Sequence, residues 1–208
     1  METNAYRIRP ETPKDYRETE NLTREAFWNV YRPGCSEHYV LHCYRGRADF
    51  VPALNFVMEK GGRLIGHIMY AQAAITAESG AEIPIMTFGP LSIAPEYQRQ
   101  GYGTALLSYS MEKAKAMGAG ALCIEGNLAF YGKLGFVLAG NKGIRYYAEP
   151  QALNLPYFLI KELTEGFLTD ISGVYRTPAG YFVDEKETEE FDALFSPKVK
   201  LKQPGQLL

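Results

Sequence analysis

The stretch that most limits how this chain can fold runs Gly89-Pro90-Leu91-Ser92-Ile93-Ala94-Pro95-Glu96-Tyr97-Gln98-Arg99-Gln100-Gly101-Tyr102-Gly103-Thr104, with a helical pattern following to about Met117. It reads as strand, tight glycine turn, helix. Leu107, Met111 and Ala114 recur at i, i+4 and i+7 and define one apolar helix face, and Gly118 suits the C-cap. A turn of this kind points backbone N–H groups together at the positive end of the helix dipole. Its glycines let a phosphate approach where a Cβ would block it. The segment therefore predicts a pyrophosphate cradle. It has no Gly-Lys-Ser/Thr ending, so a P-loop fails, and Gly101-Tyr102-Gly103-Thr104-Ala105-Leu106 lacks the third small residue of a dinucleotide fingerprint.

Around this segment the chain alternates short strand and helix patterns. Tyr6 to Arg9 reads as a strand, and residues 13–29 carry Tyr16, Leu22, Ala26 and Phe27 at helical spacing. A second helix is expected from Ser36. Residues 53–59 and 64–74 form a hairpin about Gly61 and Gly62, and a further strand runs from Ile83 to Ile93. The 208 residues, 46% hydrophobic and 22% charged, suit one globular domain with a small appendage. No apolar run reaches the roughly 18 residues of a membrane span, and the polar start offers no secretory signal. Three cysteines, an odd and sparse number, fit free thiols in a reducing cytoplasm. A net charge of −2 gives no overall basic footprint for nucleic acid.

Gln98 to Gly103 fits the pattern Gln/Arg-x-x-Gly-x-Gly/Ala. Downstream, residues 121–125 read as a buried strand, and Gly126-Asn127-Leu128-Ala129-Phe130-Tyr131-Gly132-Lys133-Leu134-Gly135-Phe136 supplies an Asn followed by Phe-Tyr-x-Lys-Leu-Gly-Phe. With these two signatures in order, the chain resembles the GCN5-related N-acetyltransferase (GNAT) family over residues 5–163. The resemblance implies an α/β fold with a central mixed, mostly antiparallel sheet, splayed in the middle and flanked by helices. It also implies an acyltransferase that uses acetyl-CoA as co-substrate, with no metal, acting on a small-molecule or protein amine. The expected domains are 1–163 for the acetyltransferase and 164–208 for a carboxyl-terminal extension, in a monomer or homodimer.

The resemblance also assigns roles. The backbone of Leu91, Ser92 and Ile93 would face the pantetheine arm, beside Pro90, whose missing N–H suits an interrupted strand. Gln98, Arg99, Gln100, Gly101, Tyr102, Gly103 and Thr104 would hold the pyrophosphate, and Asn127 and Phe130 would touch pantetheine or adenine. Tyr131 matches the family's general acid, because a phenol titrating near 10 is protonated at neutral pH. Many family members carry a glutamate on the first splayed strand, whereas residues 86–92 contain no carboxylate. Glu125 is then the candidate base, with His67 as a rival and attack by an already neutral amine as a third route. The missing carboxylate also keeps open a non-catalytic acyl-CoA-binding or regulatory module, and an acyl group other than acetyl would alter the pocket near Ile93.

Cys35, His38, His42 and Cys43 lie close together, but Cys43 points about 100° from His42 around a helix, so four converging zinc ligands are not expected. Beyond residue 163, the region 167–183 is expected to form a turn-rich hairpin. Asp184 with Glu187 should open an acidic helix ending near Phe195, burying Phe191, Leu194 and Phe195. Residues 198–208 are expected to be mobile. Trp28, Tyr31, His38 and Tyr39 are candidates to line the acceptor cleft.

Overall fold

A computed structural model describes residues 5–206. Its elements in chain order are β1 (Arg7–Pro10), α1 (Tyr16–Phe27), α2 (Glu37–Tyr44), β2 (Phe56–Lys60), β3 (Arg63–Ala77), β4 (Glu82–Ile93), α3 (Tyr102–Ala116), β5 (Ala121–Glu125), α4 (Leu128–Tyr131), β6 (Val137–Leu138), β7 (Ile144–Tyr146), β8 (Phe158–Glu162), β9 (Gly173–Tyr175) and α5 (Glu185–Asp192). Among the described residues the nine strands form a mixed, mostly antiparallel sheet in the order β1-β2-β3-β4-β5-β8-β6, with β9 pairing β3 and β7. Parallel pairing occurs between β4 and β5, at Met86 opposite Leu122, and between β7 and β9. Helices flank this sheet, giving the expected α/β class. No helix among the described residues is long and apolar enough to cross a membrane.

The chain divides into two compact units. The first holds residues 1–69, 89–107 and 179–208, and the second holds 70–88 and 108–178. In the first unit α1 carries a buried face against β2 and the start of β3, where Leu22, Val57 and Leu64 cluster. The α1 stripe differs from the expected one: Leu22 is buried, but the rest of the buried face is Thr19, Glu20, Thr23 and Arg24 rather than Tyr16, Ala26 and Phe27. These polar groups tolerate burial because each finds a partner. Thr23 accepts from Ser92 at 3.0 Å, Arg24 Nε donates to Asp192 at 2.5 Å, and Glu20 accepts from Arg45 at 2.6 Å.

The second unit has an apolar core that includes Ile75, Ile85, Cys123, Ile144, Phe158 and Tyr175. Here the expected hairpin of 167–183 is replaced by the single strand β9, antiparallel to β3 and parallel to β7. Pairing across the sheet satisfies its backbone groups better than a local turn can.

The carboxyl-terminal segment of the first unit corrects two further expectations. Asp184 caps α5 by accepting from the Glu187 N–H at 3.0 Å, but the helix ends at Asp192, and Leu194 is 65% exposed while Phe191 and Phe195 are buried. Residues 198–206 are tied down rather than loose. The Val199 carbonyl accepts from Trp28 Nε1 at 3.0 Å, the Leu201 N–H donates to Asn29 at 3.0 Å, and Lys198 pairs with Glu25 at 2.7 Å. The expectation for 207–208 lies outside the described residues.

Candidate functional site

In the first unit, the end of β4 leads through a 3-10 turn at residues 95–97 into the glycine turn and the start of α3. Arg99 and Gly101 adopt positive φ, +58° and +89°. A Cβ added at Gly101 would meet nothing within 4 Å, so the glycine faces open space at the start of a fifteen-residue helix. The side chains of Gln98 and Gln100, though exposed, fold back on the chain, donating to the Ile93 and Glu96 carbonyls at 3.0 and 2.8 Å. They stiffen the turn, which leaves its backbone to meet an anion. Arg99 and Thr104 are exposed. Tyr102 is buried against Tyr97 and Tyr6, with its hydroxyl on Lys60. Ser92 and Ile93 are buried and Leu91 is half-buried.

Tyr131, in the second unit, ends α4. Its ring lies 5.9 Å from that of Phe88, 5.6 Å from Phe136 and 4.8 Å from Phe130. A Cβ at Gly126 would overlap the Tyr131 ring, so only glycine lets the strand end pass this close. Asn127 is the N-cap of α4, its Oδ1 accepting from the Ala129 N–H at 2.8 Å.

Glu125, at the end of β5, is exposed but not loose. Its Oε1 accepts from the Tyr146 and Thr177 hydroxyls, each at 2.8 Å, and those two hydroxyls are 3.1 Å apart. Burial pushes the Tyr146 phenol up, which keeps it a donor. The sequence reading missed Tyr146 and Thr177 because parallel pairing of β7 with β9, not sequence proximity, brings them to the β5 end.

His67, the rival base, is fully buried in β3 of the first unit, with Nε2 2.7 Å from Asn55 Oδ1. Burial lowers it to about 4, so it is neutral and has no open face for an acceptor. The stretch from Cys35 to Cys43 contains other pairings: Cys35 Sγ lies 3.4 Å from His38 Nδ1, and His42 Nδ1 lies 2.9 Å from Glu20. The residues expected to line an acceptor cleft differ in exposure and in partners. Tyr31 is exposed and His38 is buried, while Trp28 and Tyr39 bond to Val199 and Glu187 of the carboxyl-terminal segment. An open cleft of about 560 Å³ in the first unit is walled by residues that include Tyr16, Arg17, His42 and Arg45.

Solved structures share this fold. A protein of Escherichia coli K12, "Uncharacterized N-acetyltransferase YjhQ", is 33% identical over 94 residues, covering 44% of this chain and 51% of that protein. The chain thus matches about half the length of that curated relative. Among solved structures, the E. coli GNAT family N-acetyltransferase YhbS in complex with CoA superposes with a TM-score of 0.72 at 20% identity, covering 85% of this chain and 91% of that one. A GNAT family acetyltransferase from Brucella melitensis in complex with acetyl-CoA gives 0.67 at 23% identity, over 86% and 99%. At these identities the two structures speak for the fold. The acetyltransferase (GNAT) family profile matches residues 16–136, a span that contains the glycine turn, the β5 end and Tyr131, and the chain belongs to that family.

Proposed function

We propose that this chain transfers the acetyl group of acetyl-CoA to a primary amine by direct attack within a ternary complex. The observation that carries the reading is the turn at 98–103, where glycine opens the backbone toward solvent at the head of α3. It fits a pyrophosphate, and two proteins of the same fold hold CoA or acetyl-CoA. Residues 98–104 would hold the pyrophosphate through backbone N–H groups and the helix dipole. The backbone of Leu91–Ile93 would take the pantetheine, with Asn127 and Phe130 as further contacts. Acetyl-CoA supplies the acetyl group already activated as a thioester.

Tyr131 holds a proton at its phenol oxygen for a departing thiolate, and the aromatic packing keeps its ring in one place. Glu125 takes the proton from the attacking amine, oriented by the two hydroxyls on Oε1. The free thiols Cys35, Cys43 and Cys123 suit work in the cytoplasm. The acetyltransferase region would be 1–163, with 164–208 as an extension, in a monomer or homodimer.

The test measures thiol release from acetyl-CoA against a panel of primary amines, with binding followed by calorimetry. Tyr131→Phe should lower turnover about a hundredfold or more while acetyl-CoA still binds. Binding without turnover on any amine would favour a non-catalytic module. A native chain that fails to bind acetyl-CoA would overturn the reading.

A further inference from the structure

The carboxyl-terminal extension reaches the strand assigned above to pantetheine. In the first unit, the Tyr181 hydroxyl donates to the Gly89 carbonyl at 3.1 Å. Gly89 has φ of +139°, a region that side-chain-bearing residues rarely enter, so β4 kinks there before continuing through Leu91 to Ile93. A glycine at a kink is free to relax into other conformations, and a donor reaching its carbonyl from another part of the chain restrains it. Tyr181 is that donor. Its own position is fixed twice. Its ring lies 4.8 Å from that of Tyr44, which is fully buried in α2. The preceding Gly180 sits so close that an added Cβ would stand 2.7 Å from Cζ of Tyr44 and overlap the Arg47 side chain.

We propose that Tyr181 is a positioning residue for acetyl-CoA: by holding the Gly89 carbonyl it sets the backbone course of Leu91–Ile93, and so makes the extension part of the binding apparatus. This rests on the proposed acetyl-CoA reading. It predicts that loss of the hydroxyl weakens contact with pantetheine and leaves the pyrophosphate turn intact, because residues 98–103 are braced by Gln98 and Gln100 instead.

Calorimetry on the full chain separates these ideas, using acetyl-CoA and, as a probe without pantetheine, ADP. Tyr181→Phe keeps the ring and should raise the acetyl-CoA Kd about fivefold, the worth of one neutral hydrogen bond, with the ADP Kd unchanged. Gly180→Ala, which shifts the turn without removing the hydroxyl, should weaken acetyl-CoA in the same direction. Melting curves without ligand confirm that both variants are folded. A tyrosine that only stabilises the extension would lower the melting temperature and leave the acetyl-CoA Kd within about twofold of native, and that result overturns the proposal while the acetyl-CoA reading stands. Equal weakening of ADP and acetyl-CoA would also overturn it. If the native chain binds neither, the acetyl-CoA reading itself has failed.

Discussion

The two compact units bury their polar groups in different ways. In the first, apart from the Thr23–Ser92 hydroxyl pair, burial is managed mainly with charge: Arg45 bonds Glu11 at 2.7 Å and Glu20 at 2.6 Å, with all three side chains at most 7% exposed, and Arg24, 1% exposed, is held by Asp192. In the second, it is managed with hydroxyls: Tyr70 bonds Ser110 at 2.8 Å, and Tyr146 and Thr177 converge on Glu125. A buried ion pair ties each partner's solvation cost to the presence of the other, so it fixes geometry and fails sharply when one member is lost. A hydroxyl pair costs less to bury and leaves protons free to shift between oxygens. The charged lattice belongs to a scaffold. The hydroxyl lattice reaches Glu125, the residue assigned to take the amine's proton.

Removing the centre of the charged lattice is the strongest way to break this contrast. Arg45→Met leaves Glu11 and Glu20 buried without their guanidinium and should cost about 3–5 kcal/mol in urea unfolding. A loss below about 1 kcal/mol would mean that the lattice is dispensable and the contrast empty.

Acid should divide the units next. The chain's histidines, 38, 42 and 67, all belong to the first unit. Burial lowers His38 and His67 to about 4, in His38 against the pull of Asp192, whose Oδ1 lies 3.1 Å from Nε2 but outside hydrogen-bond geometry. An unfolded chain takes up these protons near 6.5, so it binds more protons than the folded chain across the window between. Stability is therefore intact above about pH 6.5 and falls as pH drops toward 4, by about 3 kcal/mol for each histidine. Hydrogen exchange should show α2 and the start of β3 losing protection before β5 and β8. Uniform loss across both units would contradict this.

The legible parts of the sequence were those where one local pattern decides the structure. The apolar face of α3 is one: Leu107, Met111 and Ala114 are all buried as their spacing predicts. The cap at Asp184 is another. Hydrophobic periodicity misread α1 because its buried face is polar, and Thr23 and Arg24 become buriable only through Ser92 and Asp192, which lie 69 and 168 residues away. The docked tail was hidden for the same reason: its anchors are Trp28 and Asn29, far earlier in the chain. At the candidate site, the motifs marked the turn and Tyr131, since both depend on contiguous residues. The steric need for glycine at 126 and the hydroxyls on Glu125 depend on packing and strand pairing that no local pattern encodes.

The smallest effect tests the hydroxyl side of the contrast. Tyr146→Phe removes one of two donors to Glu125 Oε1 and leaves Thr177 in place, so the carboxylate, which is exposed, stays solvated by water and one hydroxyl. Thermal unfolding should register about 1 kcal/mol or less. Thr177→Val should cost a similar amount, and the double variant should depart from the sum, because the two hydroxyls contact each other as well as the same oxygen. Strict additivity would make them independent surface bonds rather than a lattice. A cost near that of Arg45→Met would show that Glu125 behaves like the buried carboxylates of the first unit, and it would erase the distinction between a scaffold held by charges and a site held by hydroxyls.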